Sequence, residues 1–334
     1  MDLLTQAVLG SALAQSASRK TETRLATVIG CLSGLLADSD ALIRSSSDSL
    51  LTIEYHRHFT HSIFFVPFGA LLAAFILWPF LKSKIDFKRL YWFSFLGYSL
   101  SGFIDACTSY GTYLFWPIID ERISFYLIAI VDPVFTIALI TGVIVAYKKL
   151  QPRAALAGLA FAALYLSISF VQLQRAQSAI EEVAIERGHA PEEIITKPTM
   201  ANIILWRSTY KHQGSIYIDA VRAGYETRVY RGSSVKQFDI ERDAASIDAK
   251  SVLYEDINRF NTFSDGYISI HPDDDHIIGD ARYSFQADGV RPLWGIDFDF
   301  DKPDEHAVFR MYHEYEKNDL KRFFAMLKNQ DVAR

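Results

Sequence analysis

Residues 52–64, TIEYHRHFTHSIF, place His56, Arg57, His58, Thr60 and His61 within six positions and then run straight into an uncharged stretch, 63–81. That stretch approaches the ~20 apolar residues needed to cross a bilayer as a helix. Imidazoles at the mouth of a membrane helix are costly unless they bind something, because polar groups at that depth need partners. The neighbouring sequence supplies them. Asp38 and Asp40 end the preceding apolar segment, and Asp105 ends a later one. This reading makes the N-terminal part a polytopic α-helical membrane domain with a His/Asp site at one face.

The composition agrees. The chain has 334 residues, enough for two domains. Half of it is apolar, but the long uncharged runs lie in the N-terminal half and most of the charge in the C-terminal half. A mean hydropathy near zero therefore averages a membrane part and a soluble part. The net charge of -5 argues against a nucleic-acid partner, which demands a basic surface. Cys31 and Cys107 sit in apolar surroundings and form no disulfide framework. The start, MDLLTQAVLGSALAQSASRK, has no basic region ahead of its apolar stretch and does not read as a cleaved signal peptide.

Taken in order, 3–14 and 25–37 read as short helices buried against the others. A polar loop follows over 44–58. Thr60 reads as the N-cap of the span at 63–81. The apolar segment 90–104 stops at Asp105, and 108–112, TSYGT, reads as a turn. Asp132-Pro133 reads as a helix start, with Asp as N-cap and Pro at the first helical position. It opens a span to Tyr147 and leaves 123–131 as an interfacial or broken half-helix. The last span, 154–173, continues as a helical extension over 174–189. Basic clusters at 82–89 and 148–153 belong on the cytoplasmic side by the positive-inside rule. The loops 44–59 and 105–123, and everything C-terminal, then face away from the cytoplasm.

The domain division is thus 1–173 for the membrane domain and 190–334 for an extracytoplasmic, soluble α+β domain. The latter reads as strands at 203–210, 215–221 and 225–230, and a helix at 249–260. A hairpin of 267–270 and 277–285 follows around HPDDDH (271–276). A strand at 295–300 and a charged amphipathic helix at 305–328 complete it.

A divalent-metal site needs His and carboxylate ligands that converge in space. The candidates are Asp38, Asp40, His56, His61 and Asp105, with Asp132, His58 and Ser101 as further positions. They come from separate segments, not from one compact motif. Asp38 and Asp40 diverge on a regular helix and converge only at a fraying end. The alternative is that the histidines are interfacial residues satisfied by headgroups and water. HPDDDH reads as a turn. His189, His212, His306 and His313 read as surface or packing residues. Ser62 and Ser109 have no nucleophile-elbow context.

Five pieces carry a resemblance: MDLLTQAVLG at the start, GLLADSDAL (34–42), HRHFTHS (56–62), IDACTSYGTYLFWPIID (104–120) and IVDPVFT (130–136). In these the chain resembles a family of inner-membrane metal-dependent hydrolases, also described as LexA-binding, inner-membrane-associated hydrolases. The resemblance covers about the first 150 residues. It extends more weakly through Leu205-Trp206-Arg207 and 280–283, DARY. It implies a metal-dependent hydrolase and marks Asp38, Asp40, His56, His61 and Asp105, with Asp132 further out. Two positions depart from the family pattern. Gln6 and Ser101 stand where the family often has His, and His58 offers a substitute imidazole.

The chemistry so implied is a divalent metal, zinc by default for mixed His and carboxylate ligands. It would lower the pKa of a bound water and polarise the scissile group. Asp40 or Asp105 would serve as general base, and Arg57 would hold an anionic group such as phosphate. A lipid or phosphoester substrate suits a site at the membrane face, with membrane lipids as the expected partners and no protein partner indicated. The rival reading is a non-catalytic membrane protein with a structural or regulatory His/Asp cluster and a partner-binding C-terminal domain. Ser101 in place of His favours it.

Overall fold

The computed structural model describes residues 1–191, 193–312 and 317–332. Helix α1 (Leu3–Ser16) is capped by Asp2, whose carboxylate accepts from Thr5 N at 3.0 Å. It packs on α2 (Thr23–Leu36) with backbone nearly touching backbone. A Cβ on Gly10 would lie 2.8 Å from the carbonyl oxygen of Gly97 and closer still to that of Gly30. Glycine at these positions lets three helices approach, as small residues do in membrane bundles. Helix α2 runs on into a 3₁₀ turn, Ala37–Leu42, so that Thr23–Leu42 forms a rod of 20 residues, long and apolar enough to cross a membrane. This corrects the reading of 25–37 as a short segment. The turn carries Asp38 and Asp40 on the end of the rod.

The stretch around the histidines is bent, not straight. Helix α3 (Leu51–Tyr55) and a 3₁₀ turn at Phe59–His61 meet α4 (Val66–Leu81) at 90°. The expected cap at Thr60 is therefore corrected. The helix starts at Val66 with proline in its first turn, and the Thr60 hydroxyl donates to Asp40 instead. Helix α4 turns Phe68, Leu72, Phe75, Ile76 and Phe80 outward, as a lipid-facing helix does. The segment 90–104 is likewise broken, into α5 (Phe87–Ser99) and α6 (Ser101–Ala106).

Residues 123–131 are not a half-helix. They pair through isolated bridges, Thr112 with Ile123 and Thr108 with Ile128. Helix α7 (Pro133–Lys149) begins as read, with the Asp132 carboxylate accepting from Phe135 N at 3.1 Å. Helix α8 (Pro152–Glu186) runs for 35 residues. Among the described residues two helices are long and apolar enough to cross a membrane, Thr23–Leu42 and Pro152–Glu186; the bent pair would make a third.

The chain divides into two compact units. The helical unit comprises Met1–Leu42, Tyr55–Phe170 and Met200–Asn202. The C-terminal unit comprises Ile43–Glu54, Val171–Thr199 and Ile203–Arg334. The latter is α+β. One antiparallel sheet has the order β1 (Ile194–Pro198), β2 (Leu205–His212), β3 (Ser215–Ala223) and β4 (Thr227–Lys236). A second has β5 (Ile268–His271), β6 (Asp274–Asp280), β7 (Trp294–Asp297) and β8 (Val308–Met311). Three helices accompany them: α9 (Ile240–Asp243), α10 (Val252–Phe263) and α11 (Lys317–Leu327).

The hairpin forms, but its turn is only Pro272-Asp273: His271 pairs with Asp274, so the rest of HPDDDH belongs to the strands, a correction to the reading of 271–276 as the turn. Strand β6 ends at Asp280, short of 285. The 305–328 helix is corrected to a strand and a shorter helix, because Val308–Met311 pairs with β7; His313 lies outside the described residues. Strand β1 went unread. It is an edge strand, and Pro198 belongs at such an edge.

Leu253, Ile257 and Phe260 line one face of α10 and pack on Ile268, Ile278, Trp294 and Ile296. Arg207 is buried and donates to the carbonyl oxygens of Ala281, Arg282, Gln286, Ala287 and Gly289, between 2.7 and 3.2 Å. The two weaker family-like pieces therefore meet in space.

Lys197 on β1 is also buried, its ammonium over the ring of Tyr283. Burial pushes its pKa well below the ordinary lysine value; Asp280 opposes the shift, and Arg207 and Arg282 add to it. The folded chain thus gives up this proton while the unfolded chain keeps it up to about pH 10.4, so stability rises with pH across that window. Lys197→Met should be the more stable protein at pH 7. Its advantage should shrink as pH rises, by up to about 1.4 kcal/mol per unit. Unfolding of the detergent-solubilised chain at pH 7 and 9.5 checks this, and a gap that does not change with pH would refute it.

Candidate metal centre

Three helix ends supply the site. Asp38 comes from the 3₁₀ turn after α2, His61 from the turn before α4, and Asp105 from α6. One ligand atom from each lies within 4.8 Å of the others. His61 Nε2 is 3.0 Å from Asp105 Oδ2 and 3.5 Å from Asp38 Oδ1. All three residues are buried, at 8, 1 and 0% exposure for Asp38, His61 and Asp105. His61 Nε2, Asp105 Oδ2 and Asp38 Oδ2 have no hydrogen-bond partner among the described residues. Buried polar atoms left in this state are costly.

Asp40 faces the other edge of the same ring. Its Oδ2 lies 3.2 Å from His61 Nδ1, accepts from Arg57 N at 2.8 Å and accepts from the Thr60 hydroxyl at 2.6 Å. Its Oδ1 lies 3.3 Å from His56 Nδ1. The Thr60 hydroxyl has one proton and gives it to Asp40. Its 3.0 Å contact with His61 Nδ1 must then be one in which the ring donates. The proton of a neutral imidazole is therefore on Nδ1, and the Nε2 lone pair faces two carboxylates. That arrangement is repulsive unless a cation lies between them or a second proton goes onto Nε2.

Zinc ligands at ~2.0–2.1 Å in a tetrahedron are about 3.4 Å apart. The separations of 3.0 and 3.5 Å bracket that value. Two of the three separations thus suit a divalent metal, which Asp38, His61 and Asp105 could hold, and Asp40 is placed to orient the His61 imidazole.

Arg57 lies on the remaining side. Its Nε is 3.4 Å from Asp105 Oδ2, its Nη1 donates to Thr108 at 3.1 Å, and its Nη2 donates to the Met1 carbonyl at 3.3 Å. The Met1 ammonium contacts Asp105 Oδ1. Arg57 has φ +61°, a left-handed conformation uncommon outside glycine. It turns the Arg57 N–H to Asp40 while its carbonyl accepts from Tyr113 N and the Thr112 hydroxyl.

Residues 1–176 match the family described as YdjM inner membrane protein. The chain belongs to that family. The match spans the whole stretch on which the resemblance rested, and it carries the word membrane but not hydrolase. An uncharacterized protein of Bacillus subtilis (strain 168), YfhP, is 28% identical over 204 residues; the alignment covers 60% of this chain and 60% of the relative. No solved structure matches.

The remaining candidates within this family member lie elsewhere. His56 reaches Asp40 and not the trio. His58 packs against Tyr113 at 4.4 Å and lies 4.0 Å from Asp120. Asp132 is engaged as the α7 cap and by the Tyr165 hydroxyl at 2.8 Å. Ser101 is buried, and its carbonyl accepts from Gln6 at 3.3 Å. Asp48, Asp256 and His306 form a second trio within 4.8 Å. There Arg259 already pairs with both carboxylates, at 3.0 and 2.7 Å, and His306 Nδ1 lies 2.9 Å from Asp256.

Sequence reasoning missed Thr60, Thr108 and Gly102 as parts of the site. A Cβ on Gly102 would overlap the carbonyl oxygen of His61. The glycine is what lets α6 close on the ligand turn, and no spacing rule reveals it. Gly102→Ala should push the turn away and destabilise the protein by about 1–3 kcal/mol, the usual range for overpacking. Thermal unfolding in detergent measures this; a wild-type melting curve would show that the contact is not rigid.

Proposed function

We propose that this inner-membrane family member binds one divalent metal through Asp38, His61 and Asp105 and uses it for hydrolysis. The observation that carries the reading is the convergence of three buried ligand residues in which His61 Nε2 and Asp105 Oδ2 have no hydrogen-bond partner among the described residues, the former a lone pair turned toward two carboxylates. Zinc suits this mixed donor set, and three protein ligands leave a fourth position for water. The metal would supply a water of lowered pKa and a Lewis acid. The chain's own part is to hold the Nδ1 proton of His61 through Asp40 and Thr60, to set Asp105 against Arg57 and the Met1 ammonium, and to exclude bulk water by burial.

In this reading Asp40 orients a ligand. Its oxygens are already occupied by four groups, and Asp105 is taken up as a ligand and by the Met1 ammonium, so neither carboxylate is left to act as general base. Arg57 is spent on Asp105, Thr108 and Met1, so a phosphoester or lipid preference rests on the membrane location alone. A second reading has one specific support. All three ligand residues are nearly inaccessible, which keeps a substrate away from the metal. That version is a non-catalytic membrane protein whose metal locks three helix ends together.

The orientation proposed is extracytoplasmic for the C-terminal unit. The basic clusters support it, and so does the assignment of Ile43–Glu54 to that unit, which requires loop and domain to share one side.

Metal content of the purified protein, before and after chelation, tests the first half. Wild type should hold about one zinc per chain. His61→Ala and Asp105→Ala should each weaken it by at least the ~10–100-fold seen for outer-sphere changes, while Asp274→Ala at the start of β6 leaves it unchanged. Wild-type metal content in both ligand variants would end the shared-site idea. For orientation, cysteines placed at Ser46 and Ser234, in a chain lacking Cys31 and Cys107, should react with an impermeant thiol reagent outside intact cells. One at Ser83 should not; the reverse pattern inverts the topology.

A further inference from the structure

The chain leaves the helical unit after Leu42 and re-enters it at Tyr55. Asp40 lies just before the first crossing, and His56 and Arg57 just after the second. Between the crossings, residues 43–54 are bound firmly into the C-terminal unit. Leu50 and Ile53 are 1 and 5% exposed and pack in the core with Leu253, Ile257 and Phe260. Ser49 Oγ donates to the Ala307 carbonyl at 3.2 Å and accepts from Phe309 N at 2.8 Å.

Arg259 on α10 gathers both halves of the segment. Its Nε and Nη2 donate to the two oxygens of Glu54 at 2.6 and 2.9 Å, and Nη2 lies 3.0 Å from Asp48. Its Nη1 donates to Asp256 at 2.7 Å. Asp256 in turn accepts from Ala307 N at 2.9 Å. A bidentate, part-buried guanidinium of this kind fixes geometry as well as charge.

We infer that Arg259 is a positioning residue for the candidate metal centre. By fixing Asp48 and Glu54 it restricts the two strands of chain that lead to Asp40 and to His56–His61. A loop pinned along its length has lost most of the freedom its ends would otherwise have, so part of the ordering cost of the site is met in advance. The effect reaches the site through Asp40, because Asp40 and the 56–61 turn meet only in the register that holds Arg57 N, Thr60 and His61 on one carboxylate. Linkage makes the relation reciprocal. Whatever tightens the site must also tighten the hold of 43–54 on the C-terminal unit. The inference takes its ligand from the metal reading, but its geometry is present without any metal.

The test is hydrogen exchange on the full-length protein in detergent, without added metal, for wild type, Arg259→Ala and Glu54→Gln. Amides of 57–63 should exchange faster in both variants, by roughly 2- to 30-fold, the range of coupling seen along such connections. Amides of β2 and β3, which Arg259 does not touch, should keep wild-type protection. Unchanged exchange over 57–63 in both variants overturns the inference. If Arg259→Ala loses protection throughout β2 and β3, the unit has unfolded, and Glu54→Gln, which alters one side chain and leaves the core intact, decides alone. Zinc titration separates the two proposals. A wild type that takes up no zinc removes the metal reading and leaves the exchange comparison to decide the anchor. A wild type that binds zinc, with variants that bind it equally tightly, overturns the positioning role.

Discussion

One buried carboxylate, Asp40, imposes most of the local order where Asp38, His61 and Asp105 come together. A charge taken out of water must be matched by several well-placed donors, because the effective penalty is several kcal/mol per ion. Asp40 draws on His56, the Arg57 amide, the Thr60 hydroxyl and His61. The Arg57 amide reaches it with that residue in a left-handed conformation. Satisfying Asp40 therefore shapes the turn, and the shaped turn presents Nε2 of His61 to Asp38 and Asp105.

The sequence was most informative where one residue type has one dominant use. Asp132-Pro133 marked a helix start, and Pro and Asp between alternating apolar residues favoured a hairpin turn over a cation site, which the structure narrows to Pro272-Asp273. The ligand types at 38, 61 and 105 were visible as charges interrupting apolar runs. What stayed hidden depended on tertiary partners. The break after Ser62 lies in an uncharged run that hydropathy reads as one span. The division of labour between Asp38 and Asp40, ligand side against orienting side, is set by where one ring sits between them. Strand β8 was lost because a four-residue strand with charged neighbours looks like the start of the amphipathic helix behind it. Arg259 gave no signal, since the partner that ties it to the early segment, Glu54, is 205 residues away in sequence.

Family membership and site chemistry bear on different questions. The YdjM match fixes the protein's class as an inner membrane protein over residues 1–176, the part that carries the trio. It does not speak to chemistry, and the relative YfhP adds none. Any argument for catalysis therefore rests on geometry, and there burial cuts both ways. The seclusion that makes unpaired ligand atoms so costly, and hence a cation so welcome, also stands between the trio and a substrate.

The discontinuous C-terminal unit has a consequence for how the protein is made. Glu54 leaves the ribosome 205 residues before Arg259. At about 5–20 residues per second, that is a delay of roughly 10–40 s. Throughout it, Leu50 and Ile53 have no core to enter, because α10, β5, β6 and β7 have yet to be synthesised. The early helices can settle into the bilayer in the meantime, but the segment between two of them must be kept accessible and unaggregated until the chain is nearly finished. Biogenesis of this protein thus has a built-in waiting step, and a chain truncated before α10 would carry a stretch of exposed apolar surface of the kind that quality-control proteases recognise.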